Sequence, residues 1–238
     1  MAVGSSADSR HGVHGLAAEW DGTHWFAVST AVMMGGLLGV DCVSASDCTA
    51  VGYGGVVRWN GSTWHAEVTD TSNQRWLYAV ACRSATDCTA VGVDLNTADP
   101  LVMHRAGNTW SAQPTPQTQQ FATLSGVACP SSTSCIATGM YDETGFSGLA
   151  ERSSGSHWSL IDPPGPDAGG PAGLGAVSCT STTRCWSVEA FGGGEMELWN
   201  GAQWSKASLP GSGYELDGVS CEQSRPCVAV GTQALRFG

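Results

Sequence analysis

The chain has 238 residues, a formal net charge of −11 and 13% charged residues, together with 32 glycines and ten tryptophans. Its few Lys and Arg residues form no cluster, which argues against nucleic acid and against an anionic membrane surface, since both are bound through basic side chains. Low charge with many glycines and tryptophans favours turn-rich β structure. The negative net charge does not by itself indicate a binding partner, because solubility is a sufficient explanation for it.

The ten cysteines indicate the compartment. Paired cysteines in such number are unusual in the cytosol. No apolar run approaches the roughly 20 residues of a membrane span, and residues 1–6 have neither the basic nor the apolar region of a signal peptide. We therefore expect a secreted or cell-surface protein whose signal peptide is not part of this sequence. An intracellular protein with reduced thiols is the alternative.

The first predicted element is a hairpin over residues 16–30, whose two strands are joined by a W-x-G-x-x-W turn. The glycine supplies the positive φ of a tight turn, and the last tryptophan supplies a large apolar surface for packing between sheets. Four later copies keep at least G-x-x-W, and they end at Trp64, Trp110, Trp158 and Trp204.

The second predicted element is a hairpin that carries two cysteines, and it occurs five times. The pairs are Cys42 and Cys48, Cys82 and Cys88, Cys129 and Cys135, Cys179 and Cys185, and Cys221 and Cys227. The turn between the members of a pair brings them opposite each other, where a disulfide can form. Zinc sites usually use C-x2-C or mixed Cys/His spacing. The pattern therefore predicts five local disulfides, no metal and no cofactor.

The two elements repeat in phase, at the spacing of about 40–50 residues that a four-stranded propeller blade occupies. Strand A has the pattern L-x-[GA]-V-x-C, strand B begins at the second cysteine, strand C precedes the glycine turn and strand D begins at the tryptophan. The sequence thus predicts an all-β protein, a five-bladed β-propeller of four-stranded antiparallel blades with one disulfide in each blade.

The blades are predicted within a single domain over residues 1–238. Four of them lie at about 37–70, 77–115, 124–162 and 174–209, and the fifth closes the ring by joining residues 216–238 with residues 1–30. This closing blade has more strand than it needs. Residues 234–237 repeat the pattern of strand C, and residues 1–4 resemble the end of a strand B.

The hairpin and the turn resemble those of β-propellers that bacteria secrete. The W-x-G-x-x-W turn is similar to the Asp-box hairpin of sialidase-like propellers, although most copies lack the full S-x-D-x-G-x-x-W. Blade number and size resemble the five-bladed lectins of the tachylectin-2 type. The resemblance covers almost the whole chain and implies the architecture. Sialidase activity is not implied, because that family needs an arginine cluster and only Arg75 is well placed.

The predicted site lies on the variable loops. If strand A is innermost, the disulfides and the glycine turns share a face that is uniform from blade to blade, whereas the opposite loops differ, and ligand sites occupy variable loops on rigid scaffolds. Aromatic rings can cover the C–H faces of a sugar while carboxylates accept its hydroxyls. The predicted ligand-binding residues are Tyr53, Arg75, Trp76, Asp94, Tyr141, Asp142, Glu189, Phe191, Glu195 and Tyr214. For any one of them, an ordinary solvated loop residue is the alternative.

Candidate catalytic residues are few. Glu189, Glu195 and Asp142 could supply a carboxylate pair for glycoside chemistry, and the close pair His11 and His14 could supply a base. A flexible N-terminal segment accounts for that pair equally well. No G-x-S-x-G elbow, H-E-x-x-H or phosphate-binding loop is present.

The loops differ in length and chemistry, which favours one asymmetric site over several equal ones. We expect a monomeric, secreted binding module that recognises a carbohydrate or another small polar ligand on the variable-loop face. The alternative is an enzyme, a hydrolase, lyase or cyclase, with one active site at the central opening of the same face. An interaction scaffold that uses the rim is a third possibility.

Overall fold

The computed structural model describes residues 1–8, 12–30, 35–70, 72, 74–118, 120–142, 146–163, 173–190, 194–207, 209 and 215–237. These residues form strands, turns and connecting segments, so the chain is all-β as predicted. None of the described segments is a helix long and apolar enough to cross a bilayer.

Two compact units make up the chain. Unit 1 comprises residues 1–97 and 101–112, and unit 2 comprises residues 98–100 and 113–238. Three antiparallel sheets belong mainly to each unit.

The sheets of unit 1 follow chain order. The N-terminal sheet contains β1 (Ala2–Asp8), β2 (Gly12–Trp20) and β3 (Trp25–Val28). The next contains β4 (Leu37–Ser44), β5 (Asp47–Gly52), β6 (Gly55–Trp59) and β7 (Trp64–Thr69). The third contains β8 (Arg75–Ser84), β9 (Asp87–Asp94), β10 (Asp99–Ala106) and β11 (Thr109–Gln113).

The sheets of unit 2 continue the series. The first contains β12 (Phe121–Ser131), β13 (Ser134–Asp142), β14 (Phe146–Ser154) and β15 (His157–Leu160). The second contains β16 (Leu174–Ser181), β17 (Arg184–Glu189), β18 (Met196–Trp199) and β19 (Trp204–Ala207). The C-terminal sheet contains β20 (Leu216–Ser220), β21 (Cys227–Gly231) and β22 (Ala234–Phe237).

The five predicted disulfides are all present, each between cysteines six positions apart, and no cysteine is free. The ladder explains the pairing. Cys42 lies directly opposite Cys48, and Cys82 directly opposite Cys88. The local pairing of all ten cysteines is therefore confirmed.

A β-bulge explains the L-x-[GA]-V pattern of strand A. The leucine and the valine are three positions apart, so a regular strand would place them on opposite faces. The ladder shifts register directly after Leu77, and the inserted residue puts Leu77 and Val80 into one apolar core. The small residue fits a close approach of neighbouring strands, since a Cβ on Gly39 would lie 2.8 Å from the Tyr78 carbonyl oxygen.

The turns form as the sequence predicts. In the copy around Gly61, which has a φ of 92°, the Asn60 side-chain oxygen accepts hydrogen bonds from the backbone N–H groups of Ser62 and Thr63. Trp59 and Trp64, which flank the turn, are both buried, with ring centroids 5.7 Å apart.

One copy replaces the first tryptophan of the turn with Arg105. Its side chain is buried and lies 2.9 Å from a Glu67 carboxylate oxygen. Trp110, the remaining tryptophan of that copy, donates its indole N–H to the other Glu67 oxygen at 2.8 Å. The pair of Arg105 and Glu67 thus takes the place of the first indole, and the two opposite charges compensate each other.

Each sheet has two packing faces. Where two successive sheets of one unit pack together, we call the contacting face of the earlier sheet its forward face and that of the later sheet its rear face. Four apolar cores occupy such interfaces within the two units, and their members alternate along each strand. Val56, for example, lies on the forward face of its sheet, and Met103 lies on the rear face of the next.

The predicted five blades are not confirmed, because the described residues form six sheets. Residues 1–30 and 216–238 do not share the predicted closing blade: β1 pairs with β2 in one three-stranded sheet, and β22 pairs with β21 in another. The surplus strand of the prediction is the reason. Residues 1–4 and 234–237 each complete the hydrogen bonding of their own hairpin, so each end of the chain forms a sheet.

Candidate functional site

The loop ends of the sheets, which we define as the strand ends opposite the disulfides, carry the predicted site residues. In unit 1, Tyr53 lies between β5 and β6, and Trp76 lies at the start of β8. Their rings meet edge to face with centroids 4.9 Å apart. Tyr78 lies close by, and burial, assisted by Tyr53, raises the pKa of its phenol. These three rings form the aromatic group of unit 1.

An ion pair lies at the same end of β8. Arg75 and Asp94 are register partners, and the Arg75 Nε lies 3.0 Å from Asp94 Oδ2. Burial alone would raise the pKa of Asp94, but hydrogen bonds from Asn96 and Arg75 outweigh it, so the pKa lies below its usual value. The Arg75 side chain is half exposed, which leaves the outer edge of the guanidinium open to a ligand.

A carboxylate fixes the backbone that leads into this strand. Asp70 accepts hydrogen bonds from the backbone N–H groups of Gln74 and Arg75 at 3.1 and 2.8 Å. Successive residues of a strand point to opposite faces, so the side chains of Arg75 and Trp76 lie on opposite faces of the sheet. Four predicted ligand-binding residues therefore form two contacting pairs: Tyr53 with Trp76, and Arg75 with Asp94.

Unit 2 places Tyr141 and Asp142 at the end of β13. The Tyr141 hydroxyl donates to Asp162 at 2.9 Å. Asp142 is exposed and stands in register between Phe121 and Phe146, whose side chains are also exposed. Neither phenylalanine is among the predicted ligand-binding residues.

An acidic group forms in the sheet of β16 to β19. Glu189 stands where the other strands of type B have glycine; in the sheet of β4 to β7, a Cβ on Gly52 would lie 2.0 Å from a carbonyl oxygen. The part of β16 that forms no ladder pairs with β17 is also longer than in the other sheets. The Glu189 backbone N–H donates to the Glu195 carbonyl oxygen at 3.1 Å, and Glu195 forms an ion pair with Lys206.

Glu197 is the buried member of this group. Its Oε2 has no hydrogen-bond partner among the described residues. Burial is the main cause that raises its pKa to about 7; Glu195 and Glu189 raise it further, while Lys206 lowers it. A carboxyl that is partly protonated near neutral pH can both accept and donate a proton, as general acid–base chemistry requires.

Glu151 is the second buried carboxyl that the sequence analysis missed. Neither of its oxygens has a hydrogen-bond partner in the described part of the chain, and burial, with Asp162 nearby, raises its pKa to about 8. A comparison of the repeats shows a signal for both buried glutamates. Four positions before the turn glycine, two repeats have the core residues Val57 and Met103, whereas the next two have Glu151 and Glu197.

The remaining predicted residues are placed as follows. His14 lies on β2 opposite Ser6 and is partly buried. His11, Phe191 and Tyr214 lie outside the described residues. Glu189 and Glu195 come together in one hairpin, and Asp142 lies on β13 of the preceding sheet. Among the described residues, no three His, Cys, Asp or Glu side chains are grouped so that they could hold a metal ion.

No protein-family model matches the chain, and no curated protein matches it. Solved structures do. A structure of YCF48 from Cyanidioschyzon merolae matches with a TM-score of 0.65 and 15% identity over 94% of this chain and 74% of its own. A streptogramin B lyase matches with a TM-score of 0.65 and 12% identity over 91% and 68%.

Virginiamycin B lyase from Staphylococcus aureus matches with a TM-score of 0.65 and 9% identity, over 98% of this chain and 82% of its own. These structures are β-propellers. At such identities a likeness carries no function from one protein to the other. What it shows is the fold of this chain, that of a β-propeller with repeated, disulfide-linked blades.

Proposed function

We propose that the protein is a secreted binding module that recognises a carbohydrate or a similar small polar ligand at the loop ends of its sheets. The five disulfides support an oxidising environment. The observation that carries the proposal is the contact between Tyr53 and Trp76; the half-exposed Arg75 lies at the same loop end, on the other face of the sheet.

The chemistry of this group suits a hydroxylated ligand. Aromatic rings in edge-to-face contact offer a rigid apolar wall, and the Arg75–Asp94 pair offers donors and acceptors for hydroxyl groups. Binding sites generally combine such apolar walls with a few polar groups that fix orientation. The aromatic pair is not repeated in the other sheets, because Tyr53 and Trp76 have no counterparts at their repeat positions. This favours one site over several equal ones.

Binding on a glycan array is the test. We expect the wild-type protein to bind a defined set of glycans, and Trp76→Ala to weaken that binding by about tenfold or more, as loss of a central aromatic contact does at binding sites. Phe26→Ala is the matched control, since Phe26 is an exposed aromatic residue of the same unit outside the loop ends. Absence of binding to every glycan, or equal weakening in both variants, would contradict the proposal.

Glu197 favours an enzyme as the second candidate. Its carboxyl has a pKa of about 7, an oxygen without a partner and three charged neighbours. Elimination and hydrolysis both need a group that takes up or delivers a proton near the working pH. Two of the similar structures are lyases by name, so a streptogramin B antibiotic is a reasonable first substrate to try.

Turnover would be measured by mass spectrometry of a streptogramin B antibiotic and a panel of aryl glycosides. If the protein is an enzyme, Glu197→Gln should lower the rate by about a hundredfold or more, the usual effect of losing a general acid or base. Glu215→Gln, which changes an exposed glutamate, should not. The enzyme candidate fails if the wild type converts none of these compounds, or if Glu197→Gln remains fully active.

A further inference from the structure

The sheet of β12 to β15 carries a row of three exposed side chains at its loop end. Phe121 is the register partner of Asp142, and Asp142 is the register partner of Phe146. Directly paired residues of an antiparallel sheet lie side by side on one face. Thr138 shares this face of β13 and donates to the Gly175 carbonyl oxygen of the next sheet at 2.6 Å, so the row lies on the forward face.

The charge of Asp142 is not neutralised within the described part of the chain. None of the described residues forms an ion pair with it, and residues 106–151 contain no Lys, Arg or His. The rings of Phe121 and Phe146 on either side are 39% and 40% exposed. A carboxylate attracts a cation, and so does the face of an aromatic ring. The row therefore has the chemistry that recognises an organic cation.

The rear face of the next sheet adds carboxyl groups at the same loop end. Cys185 on β17 belongs to the apolar core between the two sheets, and Ser187, two positions further on, shares its face. Glu197 is the register partner of Ser187 and of Lys206, so these side chains also lie on the rear face. Glu195 reaches the same face through its ion pair with Lys206.

These charged positions are apolar at a typical interface between sheets. Counted from the turn glycine, Glu195 and Glu197 correspond to Leu101 and Met103, which pack in the apolar core of unit 1. No other repeat is acidic at both positions. Proteins depart from such a local packing pattern mainly at functional sites, so this change from apolar to acidic side chains indicates a site.

Glu197 supplies an independent indication of a ligand. Its side chain is 4% exposed, and its Oε2 has no hydrogen-bond partner among the described residues. Buried polar groups are nearly always hydrogen-bonded, which makes such an acceptor a candidate contact for a ligand group. Burial, Glu195 and Glu189 raise the pKa of Glu197 to about 7, so Lys206, which pairs with Glu195, does not compensate the negative charge of this group.

We infer that the loop end between these two faces binds a small organic cation, a ligand that carries protonated amino groups. Asp142 and Glu197 accept hydrogen bonds from its ammonium groups, and Phe121 and Phe146 cover its carbon skeleton. A metal ion does not suit the site, since no three described His, Cys, Asp or Glu side chains are grouped to hold one. The site shares no residue with the aromatic group of unit 1, so the inference does not rest on glycan binding there.

Calorimetric titration of the full chain tests the inference. The probes are spermidine, a glucosamine tetramer and the N-acetylated form of that tetramer, which has the same skeleton without the charge. Salt at about 0.15 M screens attraction to the acidic surface as a whole. We expect saturable binding of one amine per chain and none of the acetylated tetramer. Tighter binding of the tetramer would identify an amino sugar as the ligand, and tighter binding of spermidine an aliphatic polyamine.

Variants locate the binding. Asp142→Asn and Glu197→Gln should each weaken it by about tenfold, the effect of losing a hydrogen bond to a charged group, and Phe121→Ala by about threefold. Asp217→Asn is the matched control, because it removes an exposed carboxylate elsewhere in unit 2. Trp76→Ala should leave amine binding unchanged, which separates this site from the glycan proposal. Binding of neither amine, equal binding of the acetylated tetramer, or equal weakening by Asp142→Asn and Asp217→Asn would each overturn the inference.

Discussion

Reduction of the five disulfides is expected to unfold the protein. Each disulfide closes a short loop and, in the chain-entropy model, stabilises the folded state by about 2–3 kcal/mol. The five hairpins lie in separate sheets, so their contributions should be nearly additive. Together they amount to about 10–15 kcal/mol, as large as the whole stability of an ordinary domain. Urea unfolding followed by circular dichroism, with and without a thiol reductant, measures the effect.

A single disulfide provides the graded control for that experiment. Replacement of Cys129 and Cys135 by serine should lower the free energy of unfolding by about 2–3 kcal/mol without unfolding the protein. Mass spectrometry of the unreduced protein should find no free thiol. Free thiols in natively expressed material, or equal stability of the oxidised and reduced forms, would contradict both the structural role of the disulfides and the secreted location.

Replacement of Glu151 by methionine should stabilise the protein strongly at alkaline pH. The pKa of Glu151 is about 8 in the folded state, against an ordinary value of 4.5. Between these pH values the folded state retains a proton that the unfolded state has released. The stability contributed by this group is therefore complete below about pH 4.5 and is lost as the pH rises through 8, by about 5 kcal/mol in total.

Methionine suits the position because Met103 occupies it in an earlier repeat. Urea unfolding at pH 5 and pH 8.5 should give Glu151→Met a gain that is about 4 kcal/mol larger at the higher pH than at the lower. Glu151→Gln removes the charge at nearly constant shape, so it separates titration from packing, and Glu222→Gln, at an exposed position, is the control. A gain that is equal at both pH values would contradict the pKa argument.

The repeated elements could be predicted because their signals are local. The turn glycines, the paired cysteines and the L-x-[GA]-V pattern each act within one hairpin, and Leu77 and Val80 show that even the bulge is encoded in that pattern. The closing blade could not be predicted in this way. Each terminal hairpin has two candidate partner strands, one from its own end of the chain and one from the other end. Pairing with the strand that is close in sequence costs less chain entropy.

The candidate site could be predicted only in part. The contact between Tyr53 and Trp76 joins two neighbouring sheets, so the sequence could place both residues at the loop ends but could not show that their rings meet. Glu151 and Glu197 were missed for a different reason. Their burial depends on the core around them, and a glutamate in a strand ordinarily indicates a solvated position.

Calorimetric titration of the strongest glycan from the array tests the binding proposal most directly. We expect saturable binding of one glycan per chain, weakened about tenfold or more by Trp76→Ala and by Tyr53→Ala, with Phe26→Ala equal to the wild type. Several equivalent sites per chain, or binding that both loop-end variants leave unchanged, would contradict it.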